Sequence, residues 1–269
     1  MSEILLAELW HYPVKSMKGN RYKKLTIESR GFQFDRHWML IDEEGKFLTQ
    51  RQHPRMTLLK TTLKHGELSL TAEGFSTCKV TTKEKRQALN VDIWQDHCQA
   101  NSVDKQVDHW LTDFLQQKCR LVEMPDNEVR QVSTDYAQPK DQVGFADGFP
   151  FLLISQASLD ELNNRLETPV TMERFRPNLV ITGCKAFAED NWKRIRIGKI
   201  EFRLPKPCSR CSIPGINPLT AAKDKELLKI LATYRHRDNQ VFFGQNALHD
   251  HLGELTQNMP ITILEKHND

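Results

Sequence analysis

The chain has 269 residues, 39% apolar and 27% charged, with 38 Lys+Arg against 35 Asp+Glu and a formal net charge of +3. That length allows one large or two modest cores, and the balance excludes a disordered, fibrous or strongly nucleic-acid-binding chain. No apolar run approaches the ~20 residues of a membrane helix, and "MSEILLAELWHYPVKS" lacks the basic, apolar and small-residue order of a secretion signal. Six scattered cysteines (Cys78, Cys98, Cys119, Cys184, Cys208 and Cys211) suit reduced thiols, so a cytoplasmic globular protein is expected.

The first hundred residues predict short strands. "EILLAELWHYPVK", "RYKKLTIES", "DRHWMLIDEEGKFLTQ" and "MTLLKTTLKHGELSLTAEGFSTCKVTT" are rich in β-favouring residues, with spacers Glu43-Glu44-Gly45, His65-Gly66-Glu67 and Glu73-Gly74. Hairpin chains of this kind curl into a barrel or sandwich. In "DKQVDHWLTDFLQQK", Val107, Trp110, Leu111, Phe114 and Leu115 recur with a helical period and predict one buried stripe. The polar "MPDNEVRQVSTDYAQPKDQVG" predicts a long loop of the functional or mobile kind.

The second half opens with the strand "FPFLLIS". It continues into the helix "SLDELNNRL", where Ser158 and Glu161 match a capping box and Leu159, Leu162 and Leu166 form the buried stripe. Strands return in "PNLVITG", "IRIGKIEFRLPK" and "ITILE", and "KDKELLKILATY" predicts a further helix. The sum is mainly β with a few helices, a β-rich α+β chain. Trp10, Trp38, Trp94, Trp110 and Trp192 are assigned to core.

The chemistry concentrates in "KPCSRCSIPGINP", residues 206–218. A redox dithiol needs its first cysteine at a helix N-terminus, which Pro214, Gly215 and Pro218 oppose. A structural zinc site needs a second ligand pair; no second CxxC exists, and His249 with His251 is a weak substitute better assigned to the surface. Two ordinary thiols at a strand–loop junction remain the default. Against that default, Lys206 and Arg210 bracket the cysteines and would favour a thiolate, suited to redox chemistry or a thiophilic metal.

The pattern resembles the MOSC superfamily, named after the C-terminal part of molybdenum cofactor sulfurases. In particular it resembles the two-domain branch that includes the mitochondrial amidoxime-reducing components and bacterial reductases of N-hydroxylated bases. The landmarks are "YPVKSMKG", "GFQFDRHWMLID", "TQRQHPRM", "DGFPFLLISQASLDELNNRL", "RFRPNLVI", "KPCSRCSIP" and "FGQN". Each is weak alone; in this order they span nearly the whole chain. The resemblance implies a MOSC-type β-barrel over residues 121–269, preceded by an N-terminal β-barrel-like domain over residues 1–120.

It also implies molybdenum cofactor, a phosphate-bearing pterin dithiolene holding molybdenum, with Cys211 as protein ligand to the metal and Cys208 a neighbour without a required role. By the same carry-over Lys15, Ser16 and Arg36 serve the phosphate, and Arg176, Asn178 and Ser209 the pterin, while Asp147 lies near metal or substrate. Without the resemblance Lys15 and Arg36 would pass for solvated strand-end charges, and Asp147 with Gly148 for a turn. Arg51 and Arg55 add nearby charge without an assigned role, and "FGQN" is expected to form a turn beside the cysteine loop.

The implied activity is reduction of N-hydroxylated or related N-oxygenated compounds. The alternatives are a cofactor- or sulfur-transfer module without turnover, and an anion-binding protein without metal. Two departures stand out. "CSIPGINP" replaces a "TTVDP"-like stretch, which bears on the substrate pocket. The C-x₄-C-x₂-C spacing of a fused plant-type ferredoxin is missing, so electrons are expected from a separate ferredoxin-, flavodoxin- or reductase-type donor, or from an iron–sulfur domain outside these 269 residues.

Overall fold

A computed structural model describes residues 3–81 and 86–267. It is strand-rich, with three α-helices among the described residues. The largest sheet has nine strands. Its path runs Ile261–Lys266, Trp192–Ile197, Ile200–Ser209, Gln240–His249, Phe151–Ser155, Leu179–Thr182, Leu5–His11 and Asn20–Tyr22, with His236–Arg237 pairing beside it. The one parallel pairing within it joins Phe151–Ser155 to Leu179–Thr182, and the crossover carries the helix Gln156–Asn163.

Smaller sheets complete the fold. Trp38–Ile41, Arg120–Glu123, Asp96–Ser102 and Ala88–Ile93 make one, and Lys60–Lys64, Glu67–Thr71 and Cys78–Val80 another. A third unites Gly253–Thr256 with Lys24–Glu28 and Gly31–Phe32. The N-terminal strands therefore complete sheets of the second half: Leu5–His11 pairs with Leu179–Thr182, and Lys24–Glu28 with Gly253–Thr256. The core follows the same pattern, since Leu6, Leu9 and Ile27 pack with Phe151, Phe202 and Leu255. Burying apolar surface from both ends of the chain fixes how the two halves meet.

Most predicted elements are present, with local differences. The helix Lys105–Leu115 is capped by Asp104, whose carboxylate accepts from Gln106 N, and it buries Val107, Leu111, Phe114 and Leu115. The next helix starts earlier than its capping-box pattern indicates. Ser155 is the cap, accepting from Ser158 N, because the buried Glu189 holds both serines from outside the helix. "FGQN" is strand, not turn: Gly244 adopts φ +82° as an irregularity within Gln240–His249, where an added Cβ would lie 2.6 Å from Ile154 Cγ1. Of the two histidines assigned to the surface, His251 is exposed and His249 is half-buried, its ring packed edge-on against Phe151.

Two hairpin strands, Ala88–Ile93 and Asp96–Ser102, carry no sequence expectation, because "ALNVDIWQDHCQANS" joins them through Trp94 and Gln95 without a Gly, Pro or Asn turn signal. Thr82, which ends the fourth predicted strand stretch, lies outside the described residues. Among those described, no helix is long and apolar enough to cross a membrane.

Candidate active site

Seven chain segments converge on one cleft, which encloses about 150 Å³ and measures about 780 Å³ counted to its solvent-facing mouth. Its lining includes Lys15, Ser16, Arg36, Asp147, Arg176, Asn178, Ser209 and Cys211, so the residues given a site role by the resemblance meet there. Larger surface cavities exist elsewhere, but they gather none of these groups.

The floor is built first by backbone. Leu5–His11 ends at Tyr12, and the following loop turns back on Trp38, with Lys15 N donating to Trp38 O at 2.8 Å. Ser16 takes φ 66°, Arg36 φ 47° and Arg176 φ 57°. Three non-glycine residues in the left-handed region line one cavity, a pattern typical of positions held in place for function. Gly19 is required by Tyr12, since an added Cβ would lie 2.3 Å from its ring.

Tyr12 is fully buried, and both guanidinium groups stack on it, with Arg36 Cζ and Arg176 Cζ each 4.3 Å from the ring centre. Arg36 Nη1 donates to Asp35 Oδ2 and to Asn178 Oδ1, and Asp35 Oδ1 accepts Tyr12 N at 2.8 Å. Asn178 also donates from Nδ2 to Asp35 Oδ2 and Trp10 O, and accepts from Leu152 N. Its amide is thus spent on the protein, and its part in the wall is to hold Arg36. Arg176 Nη1 donates to Met17 O at 2.7 Å; burial draws its basicity down to about 10, and neighbouring Arg36 adds to that.

Lys15 is buried, with Nζ donating to Phe145 O at 2.7 Å and to Asp147 Oδ1 at 2.5 Å. Burial lowers its pKa to about 8, and the cations Arg130 and Arg51 push the same way against the attraction of Asp147. Burial alone would raise the Asp147 carboxyl, but the Lys15 ammonium and Arg51 override it and hold it well below the usual carboxylate range. The Asp147 side chain remains 54% exposed and lines the cleft.

Sequence reasoning left Arg130 in an unassigned polar loop, yet it positions Asp147. Its buried guanidinium donates to Asp96 Oδ2 (2.7 Å), Gly144 O, Ala146 O and Asp147 O, fastening the Asp147 loop to the hairpin. Arg51 also belongs to the cleft, with Nη2 3.4 Å from Asp147 Oδ2 and a buried Nε without a partner. Arg55 does not; it lies over Phe114 in a separate groove.

The rim carries the two cysteines. Cys208 lies one residue before the end of the strand Ile200–Ser209, whereas Cys211 lies in the following loop and is exposed. The expected cationic bracket is divided. Arg210 Nη1 donates to Cys208 Sγ at 3.1 Å and Nη2 to Phe175 O, while Lys206 turns away onto the Tyr136 ring at 4.4 Å. Only a short 3₁₀ turn, Ile213–Gly215, follows, and no helix N-terminus supports a dithiol reading. Burial pushes the Cys98, Cys119 and Cys184 thiols up to about 11, which disfavours their thiolates.

The arrangement has a definite chemical character. The lining holds five cations, Lys15, Arg36, Arg51, Arg176 and Arg210, against one carboxylate, Asp147; Arg36 is offset by the buried Asp35 behind it, and the remaining cationic excess suits an anion with several acceptor oxygens. Among the described residues no group of three or more His, Cys, Asp or Glu side chains is arranged to hold a metal. A metal carried in by an anionic, metal-chelating ligand needs only one protein donor, and the exposed Cys211 thiol is such a donor. The residues present therefore fit a phosphate-bearing, metal-carrying pterin.

Comparison with known sequences agrees with this architecture. Residues 3–118 match the MOSC N-terminal beta barrel domain, and residues 140–262 match the MOSC domain. The chain belongs to the MOSC-domain family, in its two-domain form. It is 35% identical over 254 residues to mitochondrial amidoxime-reducing component 1 of Mus musculus, covering 89% of this chain and 74% of that protein. The Homo sapiens component 1 is 33% identical, with 96% and 82% covered, and the Rattus norvegicus component 2 is 33% identical, with 88% and 74% covered.

Proposed function

We propose that the protein is a molybdenum-cofactor-dependent reductase of N-hydroxylated or related N-oxygenated compounds. The observation that carries the proposal is the joining of five cations and a free thiol, Cys211, in a cleft with a single carboxylate. The names of its relatives, amidoxime-reducing components, point to the same substrate class. When bound, the cofactor would supply the two-electron redox centre, and the overall conversion takes an N-hydroxylated compound, two electrons and two protons to the parent base and water.

In this reading Lys15, Ser16 and Arg36 receive the phosphate, and Arg176 and Ser209 the pterin, with Asn178 bracing Arg36. Cys211 ligates the metal. Asp147, kept ionised by Lys15 and Arg51, accepts hydrogen bonds at the substrate end and does not act as an acid. Because the floor is assembled from buried, mutually bonded side chains, little reorganisation accompanies ligand binding.

We take residues 1–120 as the N-terminal unit and 121–269 as the MOSC unit, a division supported by the two family matches. Six free cysteines favour a reducing compartment such as the cytoplasm. Electrons would come from a separate ferredoxin-, flavodoxin- or reductase-type carrier.

The test is molybdenum per chain by elemental analysis, for wild type and Cys211→Ser from a cofactor-producing host, paired with benzamidoxime reduction using an artificial donor. Near-stoichiometric metal in the wild type, reduced in the variant, with turnover, is the expected result. Metal without turnover would favour the cofactor-transfer alternative, and no metal in either protein would overturn the proposal.

A further inference from the structure

One tryptophan departs from the rest. Trp10, Trp38 and Trp192 are buried, whereas Trp94 is 53% exposed. It occupies the two-residue turn between Ile93 and Asp96 with φ 59°, a position that favours Gly or Asn and carries a steric cost for a bulky side chain. Folding alone gives no reason to spend a tight turn on an indole left in water.

The indole is nevertheless fixed. Its Nε1 donates to Asp147 Oδ1 at 3.2 Å, the Arg51 guanidinium lies 4.5 Å from the ring centre, and Phe47 meets it at 5.1 Å. Arg130 ties the same hairpin, through Asp96, to the backbone of Asp147. A large aromatic surface is thus held rigid beside two residues that line the cleft, and a preorganised surface loses little freedom when a ligand stacks on it. The neighbouring carboxylate is half-open to the cleft and retains acceptor capacity for an N–H donor.

We propose that Trp94 and Asp147 form a specificity edge for the reductase, selecting planar N-hydroxylated amidines with an aromatic or heteroaromatic substituent. The substituent stacks on the indole while the amidine N–H groups donate to Asp147. This rests on the reductase reading and names the subset of substrates it favours.

The test compares benzamidoxime with acetamidoxime in the cofactor-loaded wild type, Trp94→Ala and Trp94→Phe. Trp94→Ala should raise KM for benzamidoxime about three- to tenfold, the effect of one lost aromatic stacking contact, and leave acetamidoxime within about twofold. Trp94→Phe, which keeps a ring and loses the Nε1 bond, should recover most of the difference. Equal changes for both substrates, or none for either, would overturn the proposal, because a merely structural turn residue does not tell the two apart. A second measurement needs no turnover: benzamidine should quench wild-type tryptophan fluorescence, and that quench should vanish in Trp94→Phe. A quench unchanged in Trp94→Phe, or absent from both, would remove the stacking edge. Quenching without amidoxime reduction would instead remove the reductase reading and leave the aromatic edge in place.

Discussion

The floor and the rim of the cleft follow opposite plans. On the floor, Arg36, Asp35, Asn178 and Tyr12 form a buried network in which the amide of Asn178 and the carboxylate of Asp35 are spent on protein partners. On the rim, Ser209 and Cys211 are exposed, and the nearest guanidinium, Arg210, is committed to Cys208 and to a backbone carbonyl. The difference has a physical origin. Buried charge must be compensated before any ligand arrives, or the chain does not fold around it. A reactive donor must be left uncompensated, which is affordable only where water can reach it. The floor is therefore built to hold and the rim to react.

The largest expected effect breaks this division at the rim. Cys211→Ser should lower turnover by roughly a hundredfold or more and deplete molybdenum, whereas Cys208→Ser, which alters one of the two partners of Arg210, should keep most of both. Equal losses in the two variants, measured by metal content and initial rate, would show that the thiols act as a pair and that the rim is not organised around one free donor.

Next comes the floor. Asp35→Asn leaves the buried Arg36 guanidinium without its counter-ion and should cost about 3–5 kcal/mol of stability. Ser209→Ala on the rim should cost under about 0.5 kcal/mol. Urea unfolding of the two variants measures both, and similar midpoints would mean that the floor is not prepaid by its own network.

A smaller effect concerns pH. Lys15, with its pKa drawn down to about 8, is charged below that value and neutral above it. An anion in the cleft favours the charged form, so sulfate, whose own charge is constant across this range, should bind at a constant level below about pH 7.5. Its affinity should then fall above pH 8, by at most about tenfold per pH unit. Lys15→Met should bind more weakly and show a flat profile in this window. Calorimetric titration from pH 6.5 to 9.5 checks the sign, and tighter binding with rising pH would remove Lys15 from the anion site.

How far the sequence revealed this cleft depended on whether each residue's role was local. The buried stripe Val107, Leu111, Phe114 and Leu115 was legible from its helical period, and the convergence of Lys15, Arg176 and Cys211 was implied by the resemblance of their short motifs to the MOSC pattern. Trp94 was not, because a tryptophan's base rate is core and its turn lacks the Gly or Asn that marks a hairpin. Arg130 was missed for a related reason: its four partners come from residues 96 to 147, so nothing near it in sequence signals a role. Asp35 was passed over beside Arg36, since an adjacent Asp–Arg pair in a sequence does not indicate burial. The cap at Ser155 was mislocated to Ser158 because the deciding partner, Glu189, lies far along the chain.

The smallest expected effect sharpens the comparison most, because it separates local field from general charge. Arg51 and Arg55 belong to one run, "QRQHPR", and are indistinguishable by composition. Arg51 faces Asp147 in the cleft, whereas Arg55 packs on Phe114 in another groove. Arg51→Ala should weaken phosphate binding about threefold, in the range of a partly exposed ionic contact, and Arg55→Ala should leave both binding and turnover unchanged. If the two variants weaken binding alike, and high salt erases the difference from wild type in both, the cleft draws its anion through diffuse surface charge. If only Arg51 matters, the attraction is set by the few cations that the fold aims inward, as a floor built before its ligand requires.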